Sequence, residues 1–272
     1  MKQILNRVAS HTDGEVALFK KLAKILACNY NVTFIKETHQ DYVSFYSETL
    51  STKVKREISD LWIIMYSPIK RQARMTFLQA KYQPNDWWRS NRFSFKGDFF
   101  QHELLSTRPQ IESVQFPDNI LSYTNNSSIG SFGVFYHDSF GDIDLAFASA
   151  DSIQCTARIP TTSRSAKRTM EFPDIGMLDF LVKKENECSL TATLSINSFT
   201  SALLNLMIGA DILIDRTILS FVSKSLKYCA INNPEVKDFL NFIEGLDIRI
   251  NDNVRGADNI PNIILINIDG EV

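Results

Sequence analysis

The sequence predicts an α/β (α+β) fold, in which a mixed β-sheet flanked by helices is followed by a mainly helical C-terminal region. An amphipathic helical pattern opens the chain, two strand-like runs joined by a short polar connection follow it, and helical patterns dominate after about residue 155. The chain has 272 residues, of which 44% are apolar, enough to bury one large core or two modest ones. We expect a main domain over residues 1–155 and an appended region over residues 156–272.

The first predicted element is an amphipathic helix over residues 13–28. Asp13 is a plausible N-cap, and apolar side chains recur at helical spacing from Leu18 to Leu26. Glu15 lies near this apolar face, in the first turn of the predicted helix.

Strands are predicted next. Residues 31–36 and 42–46 are rich in β-branched and aromatic residues and indicate one or two strands. Residues 58–66 and 75–82 are strand-like runs on either side of a polar connection, residues 67–72, which is typical of a hairpin.

Three polar residues stand out in this hairpin. Asp60 opens its first strand, and Gln79 and Lys81 lie on its second. Because side chains alternate along a strand, Gln79 and Lys81 are predicted to point to one face, and Leu78 and Ala80 to the other.

Residues 83–96 mix aromatic and basic side chains: Trp87, Trp88, Phe93 and Phe95 with Arg89, Arg92 and Lys96. Such a segment either stacks bases and pairs with phosphates or adds aromatic side chains to a core beneath a solvated loop. A short helix over residues 98–106, which contains Gln101, and strands over residues 130–136 and 143–148 are predicted after it. Between these strands, Asp138, Asp142 and Asp144 miss the EF-hand spacing, which favours a solvated turn over a cation site.

The composition and the predicted elements change after about residue 155. Residues 163–167 are polar and basic, as in a linker or mobile loop. Helices are then predicted over residues 197–208, 211–228 and 234–245, and a final strand over residues 263–268. The third helix has the strongest start signal, because Pro234 occupies its first position after Asn233.

Charge is distributed unevenly along the chain. The net charge is only −2, yet residues 53–108 carry eleven basic and five acidic side chains. Residues 109–157 carry six acidic side chains and no basic one. A local basic face, rather than the total charge, is what attracts phosphate.

Several function classes are excluded or disfavoured. GxxxxGK[ST], GxGxxG and GxSxG are absent, so ATP hydrolysis, dinucleotide binding and α/β-hydrolase catalysis are not indicated. The four cysteines form no CxxC pair and the four histidines no HExxH or HxH, which argues against a zinc ribbon, a disulfide framework or a histidine-built metal site. The longest apolar run, residues 61–66, is far below the roughly 20 residues of a membrane span. We expect a cytoplasmic protein with no membrane contact.

The constellation of Glu15 in an opening helix, Asp60 at the start of a strand and Gln79-Ala80-Lys81 on the next strand resembles the core of PD-(D/E)xK nucleases. That restriction-endonuclease-like core is a helix, three strands, a second helix and a fourth strand, and the match covers roughly residues 10–136. Gln79 departs from the family's usual acid, as in the QxK variant seen in Mrr-type and resolvase-like nucleases.

The resemblance implies an active site. Asp60, Gln79, the carbonyl of Ala80 and Glu15 would be the metal ligands for Mg²⁺, with Mn²⁺ as a substitute, and Lys81 would position the attacking water or stabilise charge on the phosphate. Gln101 would face this site from the second helix. The alternative interpretation makes Lys81 an ordinary strand residue with its charge in solvent and Asp60 a cap on a sheet edge.

The implied function is a DNA endonuclease of a restriction or antiviral defence system, with RNA not excluded as substrate. Its DNA contacts would come from Trp87, Trp88, Arg89, Arg92, Lys96 and Gln101. A helicase or ATPase subunit is the expected partner, and a homodimer is expected because a double-strand cut needs two active sites. The alternatives are an inactive nuclease-fold protein that binds nucleic acid and a scaffold that binds none.

Overall fold

The computed structural model describes residues 1–10, 12–35, 42–83, 93–156, 158–164, 166–173, 181–184, 187–251, 253–257 and 261–271. The helices in these ranges are α1 (Lys2–Val8), α2 (Glu15–Leu26), α3 (Phe99–Thr107), α4 (Ile196–Leu204), α5 (Arg216–Ala230) and α6 (Pro234–Glu244). The strands are β1 (Tyr30–Ile35), β2 (Tyr42–Ser47), β3 (Thr52–Glu57), β4 (Leu61–Ser67), β5 (Gln72–Gln83), β6 (Ser94–Asp98), β7 (Ile111–Glu112), β8 (Gly130–His137), β9 (Ile143–Ser149), β10 (Gln154–Cys155), β11 (Lys167–Glu171), β12 (Leu181–Lys184), β13 (Glu187–Leu190), β14 (Ala192–Thr193), β15 (Ala210–Asp211) and β16 (Asn262–Glu271).

One mixed sheet forms the centre of the molecule, in the order β1-β16-β4-β5-β8-β9-β14, with β15 pairing beside this path on β5. The hairpin of β4 and β5 is antiparallel, whereas β5 pairs with β8 and β16 pairs with β4 in parallel. The predicted mixed sheet flanked by helices is therefore confirmed.

Helices cover both faces of this sheet. Phe19 of α2 and Phe199 of α4 pack in the core on the first face, and Phe100 of α3 and Phe221 of α5 pack in the core on the second. Gly133 lets α2 approach closely, since a Cβ atom there would lie 2.9 Å from Cζ of Phe19. Three layers thus exclude water from the middle of β4 and β5.

The C-terminal strand β16 lies inside the main sheet, between β1 and β4. Its residues Ile264 and Leu265 are buried on opposite faces. Strands from both sides of the predicted boundary between residues 155 and 156 therefore share one sheet, because β14, β15 and β16 all follow it.

The described part of residues 163–167 differs from the linker or mobile loop that the composition predicts. The carbonyl of Ala166 accepts a hydrogen bond from the backbone N–H of Phe99 at 2.9 Å, and Lys167 begins β11. β11 pairs with β6 in a three-stranded sheet, β10-β11-β6, on the second face. Polar composition alone does not reveal this docking, because the contacts come from residues more than 60 positions earlier in the chain.

Two helix starts also differ from prediction. Helix α2 begins at Glu15 with Gly14 as N-cap, and Asp13 instead accepts a hydrogen bond from Ser10 and pairs with Lys21 at 2.5 Å. The helix predicted from residue 211 begins at Arg216, because residues 210 and 211 form β15. The predicted start of α6 is confirmed, with the side chain of Asn233 accepting from the backbone of Val236.

A second small sheet, β3-β2-β7, lies beside α3. Strand β3 was not predicted, because its residues are mainly polar and Val54 is the one that is buried. Within the described ranges, every helix is too short or too polar to cross a lipid bilayer.

Candidate active site

The ends of two adjacent strands position the candidate site. Leu61 pairs with Leu78 across the hairpin, which sets Asp60 opposite Gln79. Phe77, two residues before Gln79, packs against Trp62, two residues after Asp60, on the second face of the sheet. By alternation Gln79 and Lys81 lie on this same face, and the side chain of Asp60 meets them just before β4 begins.

Asp60 is the centre of the hydrogen bonds at this edge. Its Oδ2 accepts from the backbone N–H of Ala80 at 2.9 Å and from the side-chain amide of Gln79. The ammonium nitrogen of Lys81 lies 3.6 Å from the same oxygen. The structure therefore brings together the three residues that the sequence singled out in this hairpin.

Gln79 is buried, with 2% of its surface exposed. Its Nε2 faces Asp60, and its Oε1 has no hydrogen-bond partner among the described residues. Rotating the amide by half a turn exchanges the two atoms and sets Oε1 against the Asp60 carboxylate. Two oxygens hold that arrangement only with a proton or a cation between them, and in the rotated form Gln79 can act as a neutral metal ligand beside Asp60.

Burial raises the pKa of Asp60 above its ordinary value, and the negative charge of Glu15 adds to the rise. The charge of Lys81 and the N–H of Ala80 act in the opposite direction without reversing it. A carboxyl group in this condition is stabilised by any added positive charge, which includes a divalent cation.

Glu15 and Gln101 approach the site without completing it. Glu15, the first residue of α2, acts on Asp60 through its charge, and among the described residues it forms neither a hydrogen bond nor an ion pair with Asp60. Gln101 is buried in α3, and its Nε2 donates to the carbonyl of Glu57 at 3.3 Å. Gln101 therefore contacts the chain three residues before Asp60 rather than Asp60 itself.

Asn262 is a neighbour of the site that sequence reasoning missed. It begins β16 beside Leu61, and its Nδ2 lies 3.4 Å from the backbone carbonyl of Asp60. A strand over residues 263–268 was predicted, but nothing in the local pattern of the chain indicates that this strand pairs with β4.

The predicted nucleic-acid contacts are only partly visible. Lys96 is exposed on β6, where its Nζ lies 2.5 Å from the hydroxyl of Thr169. Four of the predicted contacts lie outside the described residues: Trp87, Trp88, Arg89 and Arg92. Phe93 and Phe95, from the same aromatic segment, are buried in the core.

The oxygen donors at this edge are few. In the described part of the chain, no group of three or more His, Cys, Asp or Glu side chains converges as a metal site. The donors within reach are the Asp60 carboxylate, the Gln79 amide oxygen and the Ala80 carbonyl, which faces the same strand edge as the Ala80 N–H. Such a set suits Mg²⁺, which prefers oxygen and keeps several waters.

Comparison with protein-family models, with curated proteins and with solved structures gives no significant match.

Proposed function

We propose that this chain is a metal-dependent endonuclease that hydrolyses DNA phosphodiester bonds. The observation that carries the proposal is the convergence of Gln79, Ala80 and Lys81 on Oδ2 of Asp60, where β4 begins and β5 nears its end. A carboxylate, a buried amide and an ammonium group at one strand edge supply a metal ligand, a neutral ligand and a cation for phosphate.

Mg²⁺, with Mn²⁺ as a substitute, is the proposed cofactor. Asp60, Gln79 and the Ala80 carbonyl would hold it, and Glu15 would act at longer range through water. A bound Mg²⁺ polarises a phosphoryl oxygen and lowers the pKa of its water. The raised pKa of Asp60 supports a cation at this position, and Gln79, with its amide rotated, adds a neutral oxygen ligand.

Lys81 is the proposed catalytic cation. Its ammonium group is held by the Asp60 carboxylate and remains 24% exposed, so it can donate a hydrogen bond to a phosphate oxygen or to the attacking water. A fixed donor directed at developing negative charge is the contribution that lowers the barrier.

The order of elements supports the resemblance to PD-(D/E)xK nucleases. The described structure contains a helix, three strands, a helix and a strand as α2, β1, β4, β5, α3 and β8. The hairpin of β2 and β3 is inserted between β1 and β4 in sequence, and β16 lies between them in the sheet. A restriction-endonuclease-like core with these additions is our proposal for the fold.

We further propose a cytoplasmic restriction or antiviral setting, a helicase or ATPase partner and a homodimer. These proposals rest on the cellular settings, partners and oligomeric states that are common in the family that the chain resembles. RNA stays an alternative substrate, since the site chemistry treats both phosphodiesters alike.

A plasmid-cleavage assay tests the function. Wild-type protein with Mg²⁺ or Mn²⁺ should convert supercoiled plasmid to cut forms, and Asp60→Ala and Lys81→Ala should each abolish cutting while remaining folded. Asp151→Asn, at an exposed carboxylate, is the matched control and should cut normally. Absence of metal-dependent cutting by folded wild-type protein on both DNA and RNA contradicts the proposal.

One observation favours a second candidate, an inactive nuclease-fold protein that binds nucleic acid. Asp60 is the single carboxylate in direct contact with Gln79 and Lys81 among the described residues, and losing the family's second acid weakens metal affinity. This candidate is supported if DNA binding weakens with salt and no cutting occurs at any Mn²⁺ concentration. If no DNA binding occurs at low salt, a scaffold that binds no nucleic acid is supported instead.

A further inference from the structure

A basic surface strip lies on the segment that joins β10 to β11. Residues 152–170 contain four basic side chains and no acidic one. Arg158, Arg164 and Lys167 are exposed, and Arg168 is half-buried. We call these four residues the basic strip.

The strip is fixed to the molecule rather than loosely attached. The guanidinium of Arg168 donates to the carbonyl of Arg158 at 2.6 Å, which ties the two ends of the segment together. Arg56 of β3 donates to the carbonyl of Ser163 at 2.7 Å. The backbone that carries the strip is therefore held in place, and less backbone entropy is lost when a ligand binds.

The small sheet that carries part of the strip packs on the same face of the main sheet as the Asp60 site. Lys167 pairs in register with Asp98, the N-cap of α3, and Phe95 of β6 packs on Phe132 with ring centroids 5.6 Å apart. Phe132 is the residue directly opposite Gln79 in the main sheet. The small sheet that carries the strip thus covers the same face, next to the end of β5.

The charge around the strip is positive overall. Lys96 is exposed on the adjacent strand. Asp98 is paired with Arg56 at 2.9 Å, and Glu171, the other acidic residue of the β6–β11 pair, leaves the five basic side chains of the strip and Lys96 in excess. The five side chains of the strip and Lys96 therefore act as one cationic surface.

We propose that the basic strip binds the phosphate backbone of nucleic acid held at the Asp60 site. This inference rests on the proposed function and extends it, because it assigns substrate contacts to residues after 155. Repeated phosphates neutralised by Arg and Lys side chains release condensed counterions, which supplies sequence-independent affinity. A membrane surface fits less well, since Ile159 is the one large exposed apolar side chain described within the segment, and interfacial anchoring needs a broader apolar face.

The test is binding of a short DNA duplex in EDTA, where no metal-dependent cutting occurs. The triple variant Arg158→Gln/Arg164→Gln/Lys167→Gln should bind at least about tenfold more weakly near 0.1 M salt, and the slope of log Kd against log salt should fall by about 2 to 3. The control, Lys24→Gln/Lys227→Gln/Lys237→Gln, removes the same charge from exposed positions on α2, α5 and α6 and should keep the wild-type slope. Circular dichroism checks that both variants fold.

The outcomes separate this inference from the proposed function. An unchanged slope in the strip variant overturns the inference even where wild-type protein cuts DNA. A lower slope of log Kd against log salt in the strip variant supports the inference even where no cutting occurs. In that case the endonuclease proposal fails and the binding inference stands. Loss of binding to phosphatidylserine vesicles in the strip variant, with DNA binding unchanged, also overturns it, as does an equal loss of DNA binding in the control.

Discussion

The ammonium nitrogen of Lys81 lies 3.6 Å from Oδ2 of Asp60, across the gap between two neighbouring strands. The same oxygen accepts the N–H of Ala80 at 2.9 Å, so a backbone group and a side-chain cation from one strand converge on the acid that precedes the other. This geometry follows from the hairpin register, in which Leu61 pairs with Leu78.

Lys81→Met should reduce DNA cleavage by about 10²–10³-fold, because removing one fixed donor to developing charge typically costs that much. The side chain keeps a similar length, and its stem lies at a partly exposed strand end, so the fold should persist. Single-turnover cleavage rates measure the effect. A variant that keeps more than half of the wild-type rate contradicts the role of Lys81.

Gln79→Glu should tighten Mn²⁺ binding by on the order of tenfold, which corresponds to about 1.4 kcal/mol. The added carboxylate supplies a second charged oxygen ligand beside Asp60. Without metal the variant should have a lower Tm than wild type, since two carboxylates then face each other at a buried position. Isothermal titration and thermal melts with and without Mn²⁺ test both effects.

Gln83→Glu is the matched control for that experiment, because it adds the same charge at the end of the same strand. It should leave Mn²⁺ affinity unchanged. Equal behaviour of the two variants means that no metal binds between Asp60 and Gln79.

His102→Gln should flatten the dependence of stability on pH below neutrality. Burial lowers the pKa of His102, although its Nε2 faces the carbonyls of Ala150 at 2.9 Å and Ile153 at 3.1 Å. The unfolded chain takes up a proton near pH 6.5 whereas the folded chain does so only at lower pH, so wild-type stability is present above 6.5 and is lost as pH falls below it. Urea unfolding between about pH 5 and pH 8 measures the slope, and an unchanged slope in the variant contradicts the prediction.

Lys2→Met should lower the free energy of unfolding by about 1–3 kcal/mol. Lys2 is hydrogen-bonded to Asp138 and lies 3.2 Å from Asp144, and both carboxylates are less than 10% exposed. The sequence favoured a solvated turn here, whereas the structure holds two of its three acids against a cation from α1. Lys24→Met, at an exposed position on α2, should change stability little.

Leu265→Ala should destabilise the protein by about 2–5 kcal/mol, the usual cost of truncating a buried leucine. Leu265 is fully buried in β16, between β1 and β4. Ile69→Ala is the control, because Ile69 is 81% exposed in the hairpin turn. A fragment of residues 1–155 should fail to fold cooperatively, since β1 and β4 would lose the strand between them; a folded fragment contradicts this account.

Short-range patterns in the sequence determined the β4–β5 hairpin, the common face of Gln79 and Lys81 and the start of α6 at Pro234. Each depends on residues within about twenty positions of one another, where strand alternation and helix capping act. Tertiary structure alone decided that Asn262 lies beside Asp60, that Lys2 neutralises Asp138 and that Ala166 is hydrogen-bonded to the start of α3. Those contacts join residues far apart in the chain, and local periodicity sets which face of a strand is buried but not which distant strand pairs with it.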